Sequence, residues 1–210
     1  MSDRAIVWGA VCDERRRLVV DLTRIPMEQW STPSLCPGWS VHDVLAHLID
    51  SATTTRLGFV RQMLGARFDF DRANEQGVRR RRASDPQQTL AAFAAVTEST
   101  DTPPAALPSR LVEAYVHSED IRRPLGITAA YPPQHVMTAL AYIARTGSGI
   151  GGGKERVRGL RLRPSDAEQH IGDGPEVHGK AISLLLATSG RPLGVGELTG
   201  PGAEVLEARC

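Results

Sequence analysis

The sequence predicts a mainly α-helical protein that ends in a small α/β domain. Five segments are predicted to form helices, at residues 3–24, 41–65, 85–102, 109–123 and 134–146. Residues 66–83 are predicted to be a connection with some helix. In the tail, residues 159–164 alternate like a short strand, and residues 177–189 carry a further helical pattern.

A glycine-rich stretch, residues 147–153, separates the helical part from the tail. Such a composition is typical of a flexible linker. We therefore expect a helical domain at 1–146, a linker at 147–153 and a small α/β domain at 154–210. A last helix or short turns are predicted at residues 193–209.

Capping residues and prolines mark the predicted helix boundaries. Ser40 is an N-cap residue with Asp43 three positions later, and Trp39 before it can pack on Val44 as a hydrophobic staple. Pro124 stops the fourth helix just after two arginines, which favour the negative end of its dipole.

Composition excludes several classes of function. The 210 residues carry a net charge of +1, which argues against a nucleic-acid partner or an anionic membrane partner. No apolar run approaches a membrane span, and the start lacks a signal-peptide pattern. The three cysteines are odd in number and contain no CxxC, so we expect a cytoplasmic protein. The basic residues are nearly all arginine, which is typical of a high-GC bacterial genome.

Three side chains on two predicted helices have the chemistry of a metal site. Glu113 and His117 are four residues apart, so they share one helix face. His47 lies at the edge of the apolar stripe of the second helix and is therefore expected to point inward. Two imidazoles and one carboxylate are a known ligand set for catalytic zinc, with the fourth position open. The same set also suits nickel or iron.

Spacing alone does not decide the matter, because Glu-x3-His occurs by chance in many helices. Glu113 lies among apolar neighbours, and a buried carboxylate needs a cation partner. Asp120 returns to the face of His117 and is a candidate to orient its ring; the alternative is a salt bridge to Arg123.

Several motifs then point to one family. Residues 32–48 read Thr-Pro-Ser-Leu-Cys-Pro-Gly-Trp-Ser-Val-His-Asp-Val-Leu-Ala-His-Leu, and this run resembles the opening of the mycothiol-dependent maleylpyruvate isomerase family. The match continues at residues 70–75, 117–126, 159–162, 172–177 and 190–192. The resemblance implies a DinB-like four-helix bundle that binds a metal, followed by the small C-terminal α/β domain.

The resemblance also implies a chemistry. The family's metal ligands fall on His47, Glu113 and His117, and with Asp120 these are the candidate catalytic residues. Members use zinc to hold mycothiol, or a related thiol, as a thiolate nucleophile. The isomerase adds the thiol to a double bond, allows rotation and expels it, and relatives resemble S-transferases. The expected cofactors are zinc and mycothiol, and the expected partner is a small-molecule substrate.

Two other functions remain open. A zinc hydrolase would need no thiol, and Glu119 or Asp120 would be its candidate base. A non-catalytic protein would bind a small molecule and release it unchanged.

The remaining motifs are interpreted as structural. The GxGxxG run at residues 147–152 follows a helical pattern rather than the strand that a dinucleotide site requires. The run Arg79–Arg82 is interpreted as a solvated face. Cys36 lies in a Pro-Gly loop with no evident base, so we expect a structural role. His42 is expected to be exposed on the outer side of the second helix.

Overall fold

The computed structural model describes residues 2–194 and 196–210 and divides into two units, Met1–Thr128 and Ala129–Cys210. The helices of the first unit are α1 (Asp3–Leu22), α2 (Val41–Thr53), α3 (Arg56–Gly65), α4 (Phe70–Arg81), α5 (Pro86–Ala94) and α6 (Ser109–Arg122). A 3₁₀ turn, Met27–Ser31, lies between α1 and α2. None of the helices in the described part of the chain combines the length and apolarity that a bilayer crossing demands.

Helix α2 begins where the sequence predicted and ends earlier. The Ser40 hydroxyl accepts from the Asp43 N–H, and the Asp43 carboxylate accepts from the Ser40 N–H, which completes the capping box. The predicted helix 41–65 is split, because the run Thr53–Thr55 interrupts it. The Thr54 hydroxyl donates to the Asp50 carbonyl, and Thr55 caps α3 by accepting from Gly58 N–H at 3.1 Å.

The core of the first unit lies between α1, α2, α5 and α6. Its largest buried members are Leu18, Leu22, Trp30, Leu45, Phe93 and Ile121. Trp39 packs against this cluster, which includes Val44, as a staple requires.

The expectation that His42 is exposed is wrong. The side chain is buried, and its Nε2 lies 2.7 Å from the Thr89 hydroxyl of α5. Its ring also meets Trp30 edge-on. The outer side of α2 is covered by α5, a contact that depends on tertiary packing and has no signal in the pattern of α2.

The run Arg79–Arg82 forms ion pairs within the first unit. Arg80 and Arg81 reach Asp50 of α2 at 3.3 and 3.6 Å. Arg82 reaches Asp43 at 2.8 Å, and Arg79 pairs with Glu75 of its own helix at 3.4 Å. All four arginines are exposed, as a solvated face predicts, and three of them also pair with carboxylates of α2.

Gly77 allows this close approach of α4 to α2. A Cβ placed on Gly77 would overlap the Asp50 carboxylate, whose Cγ would lie only 2.8 Å away. Asp50 cannot swing aside freely, because it is buried and also bonded to Arg80 and Gln62.

We expect Gly77→Ala to destabilise the protein by about 1–3 kcal/mol, because overpacking outweighs the better helix propensity of alanine. Urea unfolding followed by circular dichroism measures the difference. Gly9→Ala on α1 is the matched control: a Cβ there meets nothing within 4 Å, so it should stabilise slightly. Equal stability of the two variants would contradict the close contact.

The second unit is a two-stranded sheet with helices. Its elements are α7 (Pro133–Ile143), a 3₁₀ turn (Ser148–Ile150), β1 (Arg161–Pro164), β2 (Glu176–Gly179), α8 (Ala181–Thr188) and α9 (Ala203–Glu207). The strands are parallel, with Leu162 opposite Val177, and both side chains are fully buried. The predicted helix 177–189 is thus a strand followed by a shorter helix. Residues 193–209, predicted as a last helix or short turns, contain turns followed by the short helix α9, and residue 195 lies outside the described part.

The glycine-rich stretch 147–153 lies inside the second unit. A Cβ on Gly152 would come within 2.7 Å of the Thr146 Cβ, and one on Gly153 would overlap Thr188 of α8. Gly153 N–H donates to the Ile143 carbonyl at the end of α7. These two glycines therefore permit close backbone contacts. The domain division at 147–153 stays a prediction, which limited proteolysis would test.

Candidate metal site

Helices α2 and α6 pack together in the first unit and bring two of the predicted ligands side by side. The rings of His47 and His117 lie with their centroids 4.8 Å apart, at an interplanar angle of 80°. Glu113 stands one turn before His117 on α6, partly buried with 15% of its side chain exposed. The three side chains that spacing suggested therefore share one region of the bundle.

His47 has an unsatisfied ring nitrogen. Its Nδ1 is buried and has no hydrogen-bond partner among the described residues. Buried polar atoms without partners are rare, and the Nδ1 of His135 in the second unit is another. The His47 nitrogen is therefore available to accept from a donor or to bind an ion. Burial, reinforced by the charge of His117, lowers the pKa of His47 to about 4. His47 is therefore neutral at pH 7, which is the state that binds a metal.

His117 is oriented by Asp120. Its Nδ1 lies 2.9 Å from the Asp120 Oδ2, and the Asp120 side chain is completely buried. Burial alone would lower the pKa of His117, but the bonds to Asp120 and Cys36 raise it to about 10, so the metal-free ring is protonated at pH 7. Metal binding at Nε2 would therefore release the proton from that nitrogen. Arg123, the alternative partner of Asp120, reaches Glu119 at 2.7 Å. A carboxylate on Nδ1 directs Nε2 as the ligand atom, an arrangement common in metal sites.

We expect Asp120→Asn to weaken metal binding about 10–100-fold, because the amide removes the charge that fixes the His117 tautomer. Competition with a chromogenic chelator measures the affinity. Asp101→Asn, at an exposed carboxylate of the same unit, is the control and should leave the affinity unchanged. An unchanged affinity in Asp120→Asn would show that the contact does not support the site.

The cation that accompanies Glu113 is Arg110. Its Nη1 lies 2.9 Å from the Glu113 Oε2 and also donates to the Ser51 hydroxyl at 3.0 Å. Burial would raise the pKa of Glu113, but the charge of Arg110 and the hydrogen bond from Ser51 lower it, so the group is ionised. The buried carboxylate therefore does not by itself require a metal, which corrects the inference from its apolar neighbours. Arg110 precedes Glu113 by one helical turn, and this spacing in the sequence could have predicted the ion pair.

Cys36 belongs to the same region, which the sequence did not predict. Its Sγ lies 3.0 Å from the Asp120 Oδ2 and 3.8 Å from the His117 Nδ1. The ligand atoms of Cys36, His117 and Asp120 all lie within 4.8 Å of one another, so this second set of donors could also hold a cation. Cys36 and His117 are 81 positions apart in the chain, and no local sequence pattern connects them.

The donor types suit a divalent metal ion. Among the described residues, the set whose ligand atoms all lie within 4.8 Å of one another is Cys36, His117 and Asp120, which does not include His47 or Glu113. Neutral imidazole, ionised carboxylate and a histidine held by a carboxylate are the groups that bind zinc in catalytic sites. His117 belongs to both possible sets, His47–Glu113–His117 and Cys36–His117–Asp120. The unpaired His47 Nδ1 favours the first set, whereas the close spacing of the ligand atoms favours the second.

Comparison with known proteins agrees with the motifs. Residues 8–125 match the family model of the mycothiol maleylpyruvate isomerase N-terminal domain. Two solved structures share the fold, a mycothiol-dependent maleylpyruvate isomerase and a histidine-to-alanine mutant of that enzyme. They are 16% and 15% identical to this chain, with a TM-score of 0.63, and the alignments cover 96% of this chain and 92% of theirs. No curated protein matches the sequence significantly.

The predicted fold class, mainly helical with a small α/β part, is confirmed. The family model covers more than half of the chain and includes every candidate site residue. The chain therefore belongs to the mycothiol maleylpyruvate isomerase N-terminal domain family, which is a family of enzymes.

Proposed function

We propose that this protein is a divalent-metal-dependent enzyme that uses a low-molecular-weight thiol of the mycothiol type as its nucleophile. Its reaction would be isomerisation, or S-transfer, on a small electrophilic substrate. The observation that carries the proposal is the pair of facing rings, His47 and His117, with a buried unpaired Nδ1 on His47. The family match supports the thiol.

His47, Glu113 and His117 would hold the metal, for which we propose zinc. When bound, zinc supplies the Lewis acidity that keeps a thiol, with an ordinary pKa near about 8.5, in its nucleophilic thiolate form.

The chain's own residues prepare these ligands. His47 presents a neutral ring, because burial disfavours its protonation. Glu113 is kept ionised by Arg110 and Ser51. The Nδ1–H of His117 donates to the Asp120 carboxylate, so the ring cannot rotate without breaking that hydrogen bond.

The hydrolase alternative is less favoured by the geometry. It needs a carboxylate free to take a proton from water, and both candidates have partners. Glu119 pairs with Arg123, and Asp120 accepts from His117 and Cys36. We propose a small-molecule substrate in either case, and a cytoplasmic location.

The test is elemental analysis of the purified protein, followed by turnover assays with and without mycothiol. We expect about one bound divalent ion per chain and conversion of maleylpyruvate, or of another electrophile in a panel, only when thiol is present. Turnover without thiol would identify a hydrolase instead. If the metal-bound protein binds compounds of the panel but converts none of them, it is a binding protein. Activity in metal-free protein would refute the proposal.

A further inference from the structure

The loop before α2 is attached to α6 at Asp120. Leu35 N–H donates to the Asp120 carbonyl at 3.2 Å, and the Cys36 thiol donates to the Asp120 Oδ2 at 3.0 Å. The loop thus contacts both the backbone and the side chain of one residue on a distant helix. That residue is the one that accepts from His117.

Cys36 is itself held rigidly. Its N–H donates to the Ser34 hydroxyl at 3.1 Å, and its carbonyl accepts from the Trp39 N–H at 3.1 Å. The Ser34 hydroxyl donates in turn to the Trp39 carbonyl at 2.8 Å. Trp39 then packs against His47, with ring centroids 5.1 Å apart. One short loop therefore contacts both histidines of the site, one through the indole and one through Asp120.

The Cys36 thiol and the His117 ring donate to the same carboxylate oxygen. Asp120 Oδ2 receives two donors, Cys36 Sγ–H and His117 Nδ1–H, and the carboxylate is completely buried, so water cannot substitute for either donor. Two donors at fixed positions determine where that oxygen lies. The oxygen in turn determines the plane of the His117 ring and hence the direction of its other nitrogen.

We propose that Cys36 is a positioning residue of the metal site, acting through Asp120 on His117. The inference rests on the proposed function, because the purpose of fixing the ring is to present a ligand. It assigns the thiol neither a nucleophilic role nor a direct bond to the metal. The alternative is that Cys36 is itself a ligand, since its Sγ lies within 4.8 Å of the His117 and Asp120 donors.

The first experiment compares Cys36→Ala with Cys36→Ser by chelator competition. Alanine removes the donor, so we expect metal affinity to fall about 10-fold or more. Serine keeps a donor in the same position, so its affinity should stay within about a factor of three of the wild type. Cys12→Ala is the matched control, because Cys12 is an equally buried cysteine on α1 whose charged neighbours are Glu98 and Arg15. Equal loss in alanine and serine variants, or no loss in either, would overturn the proposal.

The second experiment separates positioning from ligation. Cobalt(II) replaces zinc readily as a spectroscopic probe, and a thiolate ligand adds an intense near-ultraviolet charge-transfer band. We expect no such band in the wild-type protein loaded with cobalt(II). A band that is present in the wild type and absent in Cys36→Ser would show that Cys36 is a ligand.

A third readout needs no metal and therefore separates this inference from the proposed function. In metal-free protein labelled with ¹⁵N, the His117 Nδ1–H should give an exchange-protected imidazole signal in the wild type and in Cys36→Ser. In Cys36→Ala we expect that proton to exchange faster, because the Asp120 Oδ2 has lost the thiol as a donor. If elemental analysis finds no metal, the proposed enzyme fails, whereas this signal still decides whether the thiol holds Asp120. Unchanged exchange in Cys36→Ala would refute the inference.

Discussion

Replacing His47 or His117 with alanine is expected to abolish stoichiometric metal binding and to lower thiol-dependent turnover by more than about 100-fold. Loss of a residue that merely supports a ligand already costs about 10–100-fold in affinity or activity, so loss of a ligand should cost more. His47 has an additional reason to matter, since its unpaired Nδ1 has no other assigned partner among the described residues. Elemental analysis and steady-state assays measure the two effects.

His170→Ala is the matched control, because His170 is exposed and lies in the second unit. It should retain both metal and activity. Circular dichroism and thermal unfolding show whether the site variants remain folded. A folded His47→Ala or His117→Ala protein that keeps one metal per chain would contradict the assignment of ligands.

Replacing Arg122 with alanine is expected to destabilise the first unit by about 3–5 kcal/mol, because it leaves a buried carboxylate without its cation. Arg122 is only 1% exposed and ties α6 to α1 through Glu14 and through Asp21, whose Oδ2 lies 2.7 Å from the Arg122 Nε. Burial raises the pKa of Glu14, and the charge of Arg122 opposes that rise. Guanidinium chloride unfolding measures the free energy of unfolding.

Arg16→Ala provides the comparison on α1, the helix that carries Glu14 and Asp21. Arg16 also pairs with two carboxylates, those of Asp13 and Glu98, but its side chain is 49% exposed. Solvent screens an exposed ion pair, so this variant should be nearly as stable as the wild type. The double variant Glu14→Leu/Arg122→Met should recover much of the loss, since it removes both buried charges. Similar losses for Arg16→Ala and Arg122→Ala would contradict the role assigned to burial.

The stability prediction bears on the site as well. Arg122 follows Glu113, His117 and Asp120 on the same helix, and its ion pairs determine how α6 lies against α1. Loss of Arg122 should therefore also reduce metal affinity, because α6 would be held less firmly against α1. The reduction should be largest near the unfolding transition.

Local chemistry accounts for what the sequence predicted correctly. Ser40 with Asp43 starts α2 because their hydrogen bonds span only three residues. Glu113 and His117 share a face because helix geometry places residues four apart together. The same locality explains the error at Thr53–Thr55, where hydroxyl groups competing for backbone carbonyls ended a helix whose apolar pattern continued.

Contacts between distant segments could not be predicted in the same way. The burial of His42 depends on α5, and the partners of Arg80 and Arg81 depend on how closely α4 approaches α2. The assignment of Cys36 to a structural loop missed its contact with Asp120, 84 residues away.

By itself the sequence determined the helical class and the family, and it nominated the four candidate site residues, because periodicity, capping and motifs act over a few neighbouring positions. Only the tertiary structure decided which side chains meet: His47 with His117, Arg110 with Glu113, and Cys36 with Asp120. Helix propensity and capping act along one segment, whereas the residues that pack against a helix face can come from any part of the chain. The position of a buried donor is therefore known only once the helices have packed.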